Sequence, residues 1–259
     1  MAARSASLLE HERRKASEYN KLAGGLSGPD CAECRNKGHA RVVNADGTAV
    51  MRECGCMARR EAMRRIERSG LKDQLSECTF DSFRDDLPWQ KLAKQAAMSY
   101  LDGYEGKWFF AGGQVGAGKT HLCTAIVGGL LGRGMAARYM LWRDETVRLK
   151  ALVTDEAAYG AAIAEFKGAE ALYIDDFLKP ACGREPSAAD VGMAFELLNH
   201  RYNNRGLPTI ISSERLLGEI LDIDEAVGSR IYQRSKGHCL EIGHDAGKNY
   251  RLHGQGGGA

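Results

Sequence analysis

The stretch Gly113-Gln114-Val115-Gly116-Ala117-Gly118-Lys119-Thr120 constrains the fold more than any other part of this 259-residue chain. It fits G-x-x-x-x-G-K-[ST], in which the backbone must turn tightly and aim its N–H groups at phosphate oxygens with no Cβ in the way. Lys107-Trp108-Phe109-Phe110-Ala111 before it reads as a buried strand, and His121 to Leu131 after it as a helix. That order sets a helix N-terminus and its dipole against the phosphates. Residues Gly113 to His121 are therefore expected to hold the phosphates of ATP, with Lys119 on the β- and γ-phosphates and the Thr120 hydroxyl on Mg²⁺.

The rest of the chain keeps a strand–helix alternation. Ala136 to Trp142 reads as a second strand, followed by one long helical stretch from about Arg143 to Gly168. Ala171-Leu172-Tyr173-Ile174-Asp175-Asp176 is an apolar strand ending in two acids, the Walker B pattern, in which a strand buried on both faces delivers carboxylates to the metal. This predicts Asp175 in the Mg²⁺ shell through water, and Asp176 orienting or deprotonating the attacking water. A helix from Ser187 to about Asn203, the strand Thr209 to Ser213, helical stretches over 214–221 and 224–236, and the strand Cys239 to Ile242 complete the pattern. Five strands alternating with helices predict a parallel α/β sheet, with the ligand at the carboxyl ends of the strands where the phosphate loop, Asp175 and Ser213 meet.

The N-terminal quarter has a different character. Residues 1–70 carry 14 Lys/Arg against 9 Asp/Glu, while the remainder is mildly acidic, within an overall net charge of +2. Four of the eight cysteines cluster as Cys31-x-x-Cys34 and Cys54-x-Cys56 around a stretch that reads as a hairpin with an Asp46-Gly47 turn. With no export signal at the N-terminus, a reducing compartment and structural zinc are the expected context. The second pair is tighter than the usual spacing, and His39 is an alternative to one thiol. Cys78, Cys123, Cys182 and Cys239 are scattered and read as small hydrophobes. Met57 to Arg68 reads as a basic helix with Arg60, Arg64 and Arg68 on one face, suited equally to phosphate or to an acidic protein partner. The longest nearly apolar run, Leu122–Gly132, is interrupted by Thr124 and glycines and is far short of a membrane span, so a cytoplasmic protein with no membrane partner is expected.

Thr79-Phe80-Asp81-Ser82-Phe83, the phosphate loop, Tyr173 to Phe177, Pro208 to Ser213, and Gly228-Ser229-Arg230-Ile231-Tyr232 follow one another in an order that resembles the DnaC/DnaI helicase loaders, AAA+ ATPases that include the IstB transposition helpers. The resemblance spans about residues 77–252, and the cysteine cluster is similar to the zinc-bearing N-terminal domain of the DnaI branch. It implies Arg230 as an arginine finger reaching a neighbouring subunit's ATP, so that the chain self-associates, and Arg234 as a second, nucleotide-sensing arginine. Where the family usually has Asn after the Thr/Ser pair, this chain has Glu214, which puts the sensor 1 contact in doubt and shifts it to Ser213. It also implies an AAA+ domain over 77–253 without a C-terminal helical lid and a zinc-binding, helicase-contacting domain over 1–76, while the low-complexity, glycine-rich stretch over 254–259 reads as a disordered tail. The expected function is a slow, partner-stimulated ATPase that loads a hexameric DnaB-type helicase onto single-stranded DNA. The alternatives are an IstB-like helper assembling on duplex DNA, a small-molecule phosphotransferase, and a nucleotide-gated binding module.

Overall fold

The computed structural model of the chain describes residues 2–68, 71–179 and 185–253, and its contacts divide the chain into two compact units, Met1–Ala62 and Met63–Ala259. Gly70, Cys182 and the expected tail at 254–259 lie outside the described residues.

The first unit opens with a helix, α1 (Ala2–Lys21), followed by the strands β1 (His39–Val43) and β2 (Ala49–Glu53) and the start of α2 (Cys56–Arg68). β1 and β2 pair antiparallel from His39↔Glu53 to Val43↔Ala49, and the Asp46 carboxylate accepts from the Thr48 amide in the turn, so the expected hairpin is present. Asn20 exchanges two hydrogen bonds with the Arg41 backbone, and Arg41 reaches back to Glu12 at 2.7 Å, which ties α1 to β1. Lys37 Nζ donates to the carbonyls of Tyr19 and Asn20, placing a cation where the C-terminal end of the helix dipole favours one.

The second unit runs α3 (Lys72–Glu77), α4 (Pro88–Asp102), β3 (Trp108–Gly113), α5 (Lys119–Gly132), β4 (Ala137–Leu141), α6 (Trp142–Ala151), α7 (Glu156–Lys167), β5 (Ala171–Asp175), α8 (Ala188–Asn203), β6 (Thr209–Ser212), α9 (Leu217–Ile223), α10 (Glu225–Arg234), β7 (Cys239–Ile242) and α11 (Tyr250–His253). The five strands β3 to β7 form one parallel sheet in the order β4-β5-β6-β3-β7. β3 and β5 are buried along their whole length, as a sheet covered on both faces requires. A core of Trp108, Phe110, Trp142, Phe166, Ile174, Phe177 and Ile211, with helix residues such as Leu197 and Ile231, fills one side. Among the described residues no helix is long and apolar enough to cross a membrane. After β7 comes a short 3₁₀ turn and the single helical turn α11, with no helical lid among the described residues.

The expected single helix over 143–168 is two helices. The break falls at 152–155, where Asp155 takes extended backbone and its side chain accepts from the Ala158 amide, an N-cap that starts α7. The helix expected at Glu214 begins at Leu217 instead, because Ser213 Oγ accepts from the Arg215 amide and Glu219 from the Leu216 amide, which holds 213–216 as a turn.

Arg201 is a charged side chain with a structural role. It is fully buried and donates to the carbonyls of Phe166, Lys167, Ala169 and Pro208 and to Thr209 Oγ1, locking the end of α7 to the start of β6. Arg201→Met would leave those acceptors unpaired in a dry site, a cost of about 3 kcal/mol. Thermal unfolding of the variant should therefore show a Tm lower by about 10 °C for a unit of this size.

Candidate functional site

The phosphate loop leaves the carboxyl end of β3 and enters α5, and its glycines are required by both conformation and space. Gly113 has φ +101° and Gly116 φ +72°, and a Cβ on them would run into the Ile242 carbonyl and the Asn249 side chain. The segment after β7 packs onto the loop: the Tyr250 amide donates to the Gly116 carbonyl at 3.0 Å, and the Asp245 amide to Gln114 Oε1 at 3.1 Å. Lys119 is 8% exposed, and its Nζ donates to the carbonyls of Gly113 and Gln114, each at 2.7 Å. Burial pulls its ammonium pKa below the ordinary lysine value, so an anion beside it restores what desolvation takes away.

Asp175, the last residue of β5, faces that loop. Its Oδ1 accepts from Thr120 Oγ1 at 3.2 Å, from the Asp176 amide at 3.1 Å and from Ser212 Oγ, while Oδ2 accepts from Tyr139 OH at 3.1 Å. Ser212 is Asp175's neighbour because β5 and β6 pair with Ile174 opposite Ile211. The hydroxyl of Thr120 and the carboxylate of Asp175 form the oxygen pair that a hard divalent cation takes, so the residues present fit Mg²⁺.

These groups line a cleft of about 590 Å³, a size usual for small-ligand sites. One wall carries Gly116, Gly118, Lys119, Thr120, Asp175 and Asp176, with Lys179 and Glu214 beyond them. The other carries Phe83, His121 and Tyr250. Phe83 meets His121 edge-on at 5.3 Å between ring centres and Tyr250 at 6.5 Å, an aromatic surface of the kind on which a nucleobase rests. His121 is fixed at the Thr79 carbonyl at 2.8 Å, and Val115 and Ala117 lie within the loop. A larger cleft of about 740 Å³ beside β4 and α7 is lined by Glu145, Glu165 and Glu170, an unfavourable setting for a polyanion.

Three expected site residues do not line their own chain's cleft, which for Arg230, expected to serve a neighbour, is no departure. Ser213 is buried with its hydroxyl donating to the Phe177 carbonyl at 2.8 Å, and it is Ser212, one residue earlier, that reaches Asp175. Arg230 lies on α10 with Nε on Asn199 Oδ1 at 3.1 Å and its guanidinium over the rings of Phe195 and Tyr202. Arg234 stacks over Trp108, the first residue of β3, at the amino end of the strand whose carboxyl end feeds the phosphate loop. Neither arginine is brought to its own chain's cleft.

In the first unit the Sγ atoms of Cys31, Cys34, Cys54 and Cys56 all lie within 4.8 Å of one another, with 3.6 Å between Cys31 and Cys54 and 3.5 Å between Cys34 and Cys56. A Zn–S bond of 2.3 Å in a tetrahedron sets neighbouring sulfurs about 3.8 Å apart, so the four thiols fit zinc. Burial pushes the Cys54 and Cys56 thiols up, a cost that a bound cation offsets by taking them as thiolates. His39 is not part of the group, since its Nε2 pairs with Tyr19 OH at 2.6 Å. Arg60 departs from the expected basic face. It is 2% exposed and its guanidinium ties the Leu26, Ser27 and Pro29 carbonyls and Asn36 Oδ1 around the cysteine loop. Purified protein should carry about one zinc per chain by atomic emission; Cys34→Ser should lose it, together with the hydrogen-exchange protection of β1 and β2.

A phosphate loop on a five-stranded parallel sheet, facing a strand that ends in paired acids, defines an α/β P-loop protein of the AAA+ class. Residues 43–256 match the family described as IstB-like ATP binding protein, and the chain belongs to that family. The phage-like element PBSX protein XkdC of Bacillus subtilis is 31% identical over 87% of this chain and 87% of its own length. Rv3427c of Mycobacterium tuberculosis, a candidate ATP-binding protein in an insertion sequence, is 30% identical over 81% of each chain. The crystal structure of the DnaC helicase loader superposes with a TM-score of 0.54 at 22% identity, covering 65% of this chain and 98% of that one, a likeness of fold.

Proposed function

We propose that this chain binds and hydrolyses ATP with Mg²⁺ and uses the cycle to place a hexameric replicative helicase on single-stranded DNA. The observation that carries the loader reading is the four-cysteine unit. The family match begins at residue 43, so it takes in Cys54 and Cys56 but not Cys31 and Cys34, and this chain joins to its DnaC-like ATPase a metal-type module that the match spans only in part. As in the loaders it resembles, that module would contact the helicase. The chain's own residues supply the nucleotide chemistry: the loop amides and Lys119 hold the phosphates, Thr120 and Asp175 hold the cation, and Asp176 orients water. The cation, when bound, neutralises charge on the phosphate oxygens. Arg230, which lies outside its own cleft, would exchange its contacts with Asn199 and Ala226 for the phosphates in a neighbour's.

The insertion-sequence relative, aligned over most of both chains, favours a second reading, an ATP-dependent assembly on duplex DNA. Native mass spectrometry of the protein with the replicative helicase of its source, with and without ATP, separates the two. Several copies on each helicase hexamer, lost in Cys34→Ser, support loading. Free helicase under every nucleotide condition, with ATP-dependent filaments on duplex DNA, supports the second reading and overturns the first.

A further inference from the structure

Glu214 follows the carboxyl end of β6 and lines the cleft at the position where the resembled family places an asparagine. A carboxylate cannot donate to a phosphate, but this one holds a group that can. Glu214 Oε1 pairs with Lys179 Nζ at 2.7 Å, and the same Nζ lies 3.0 Å from Asp176 Oδ2. All three side chains are about one-third exposed and line the cleft with Lys119 and Thr120.

Lys179 reaches this place through strained backbone. After β5 the chain turns with Asp176 at φ +54° and Leu178 at φ +53°, a left-handed conformation that costs non-glycine residues roughly 1–3 kcal/mol each and clusters at functional sites. The turn is held on every side. The Phe177 amide donates to the Ser212 carbonyl at 2.8 Å, Ser213 Oγ to the Phe177 carbonyl, and the Lys179 amide to the Asp176 carbonyl at 3.0 Å, while Phe177 and Leu178 are buried. Ser213 thus serves the site indirectly, by holding the turn that returns Lys179 over its own strand's acid.

We propose that Lys179 is the residue through which this cleft recognises a γ-phosphate, with Glu214 as the counter-charge that orients it. The inference rests on the nucleotide reading of the cleft. Without nucleotide, one ammonium bridges two carboxylates, an arrangement with one negative charge in excess. A γ-phosphate supplies a stronger anion in reach of Nζ, so Lys179 exchanges Asp176 for phosphate while staying on Glu214, and Asp176 is freed to accept from water. A diphosphate has no such group and leaves the bridge closed. The lysine stays charged for this role: burial opposes its protonation, but the hydrogen bonds to Glu214 and Asp176 outweigh that and hold its pKa above the usual value.

Calorimetric titration of ATP and ADP into the full chain, with Lys179→Met and Glu214→Ala as variants, tests this without relying on turnover. Lys179→Met should weaken ATP about tenfold while moving ADP by less than about twofold, the loss of one charge-assisted hydrogen bond. Glu214→Ala, which removes the counter-charge without adding a donor of its own, should weaken ATP in the same direction by less. ATP affinity unchanged in Lys179→Met, or ATP and ADP weakened alike, overturns the proposal and leaves the nucleotide site standing. Wild-type chain that binds neither nucleotide overturns the nucleotide reading itself, and this inference with it.

Discussion

Lys119→Ala should lose ATP affinity by about 10²–10³-fold while the protein remains folded. The Lys119 ammonium is buried at the mouth of the phosphate loop with two of its three N–H groups on the Gly113 and Gln114 carbonyls. In that state it spans the loop's own acceptors; with nucleotide present it would turn to phosphate oxygens. Charge-assisted hydrogen bonds contribute about 1.5–3 kcal/mol each, so two of them account for the expected loss. The cost to the fold is smaller. Truncation leaves two carbonyls without this partner, but it also removes a desolvated ammonium whose pKa burial already depresses. Two measurements check this together: equilibrium binding of ATP, and thermal unfolding with and without nucleotide. Wild-type protein should gain stability at saturating ATP, and the variant should gain almost none. A variant that binds ATP as the wild type does would falsify the assignment of residues 113–121 as the phosphate site.

What was legible in the sequence was what one contiguous stretch of chain must do by itself. The phosphate loop requires its glycines, lysine and threonine at fixed spacing, and Asp175 ends an apolar strand that had to be buried on both faces. The cysteine pairs enclose a hairpin short enough to bring four thiols together. Less legible was whatever depends on elements meeting. That Ser212 rather than Ser213 meets Asp175 is a matter of one residue at a strand end, where side chains alternate between faces and a single step moves a hydroxyl from Asp175 to the far side of the turn. Phe83 and Tyr250 sit 167 residues apart, within segments that read as a linker and as the chain beyond the last strand, and only packing makes them one wall of the cleft. Arg60 shares a helical face with Arg64, yet the cysteine loop folds over it and turns a candidate surface charge into a buried clamp. Lys179 carried no motif, and its place follows from two left-handed residues whose conformation no local propensity favours.

Arg230→Ala should abolish assembly-dependent hydrolysis, by about 10³-fold or more, while leaving ATP affinity near the wild-type value. The side chain is fixed on α10, with Nε on Asn199, Nη1 on the Ala226 carbonyl at 2.7 Å, and its guanidinium over Phe195 at 4.8 Å. Such a clamp fixes direction at little entropic cost, and it also means the arginine is not needed by its own cleft, which it does not line. An arginine supplied by a neighbour stabilises charge in the phosphoryl-transfer transition state and is worth 10³–10⁵ in rate. The geometry makes a sharper demand than loss of activity. If the arginine acts between subunits, Arg230→Ala retains a complete phosphate loop and Lys119→Ala retains a complete arginine, so each variant is inactive alone and their mixture regains turnover wherever an intact loop faces an intact arginine. An arginine acting within its own chain gives no such rescue at any mixing ratio. Rescue that rises with total protein concentration would fix Arg230 as the residue that couples hydrolysis to assembly, and its absence would return that coupling to residues of the cleft itself.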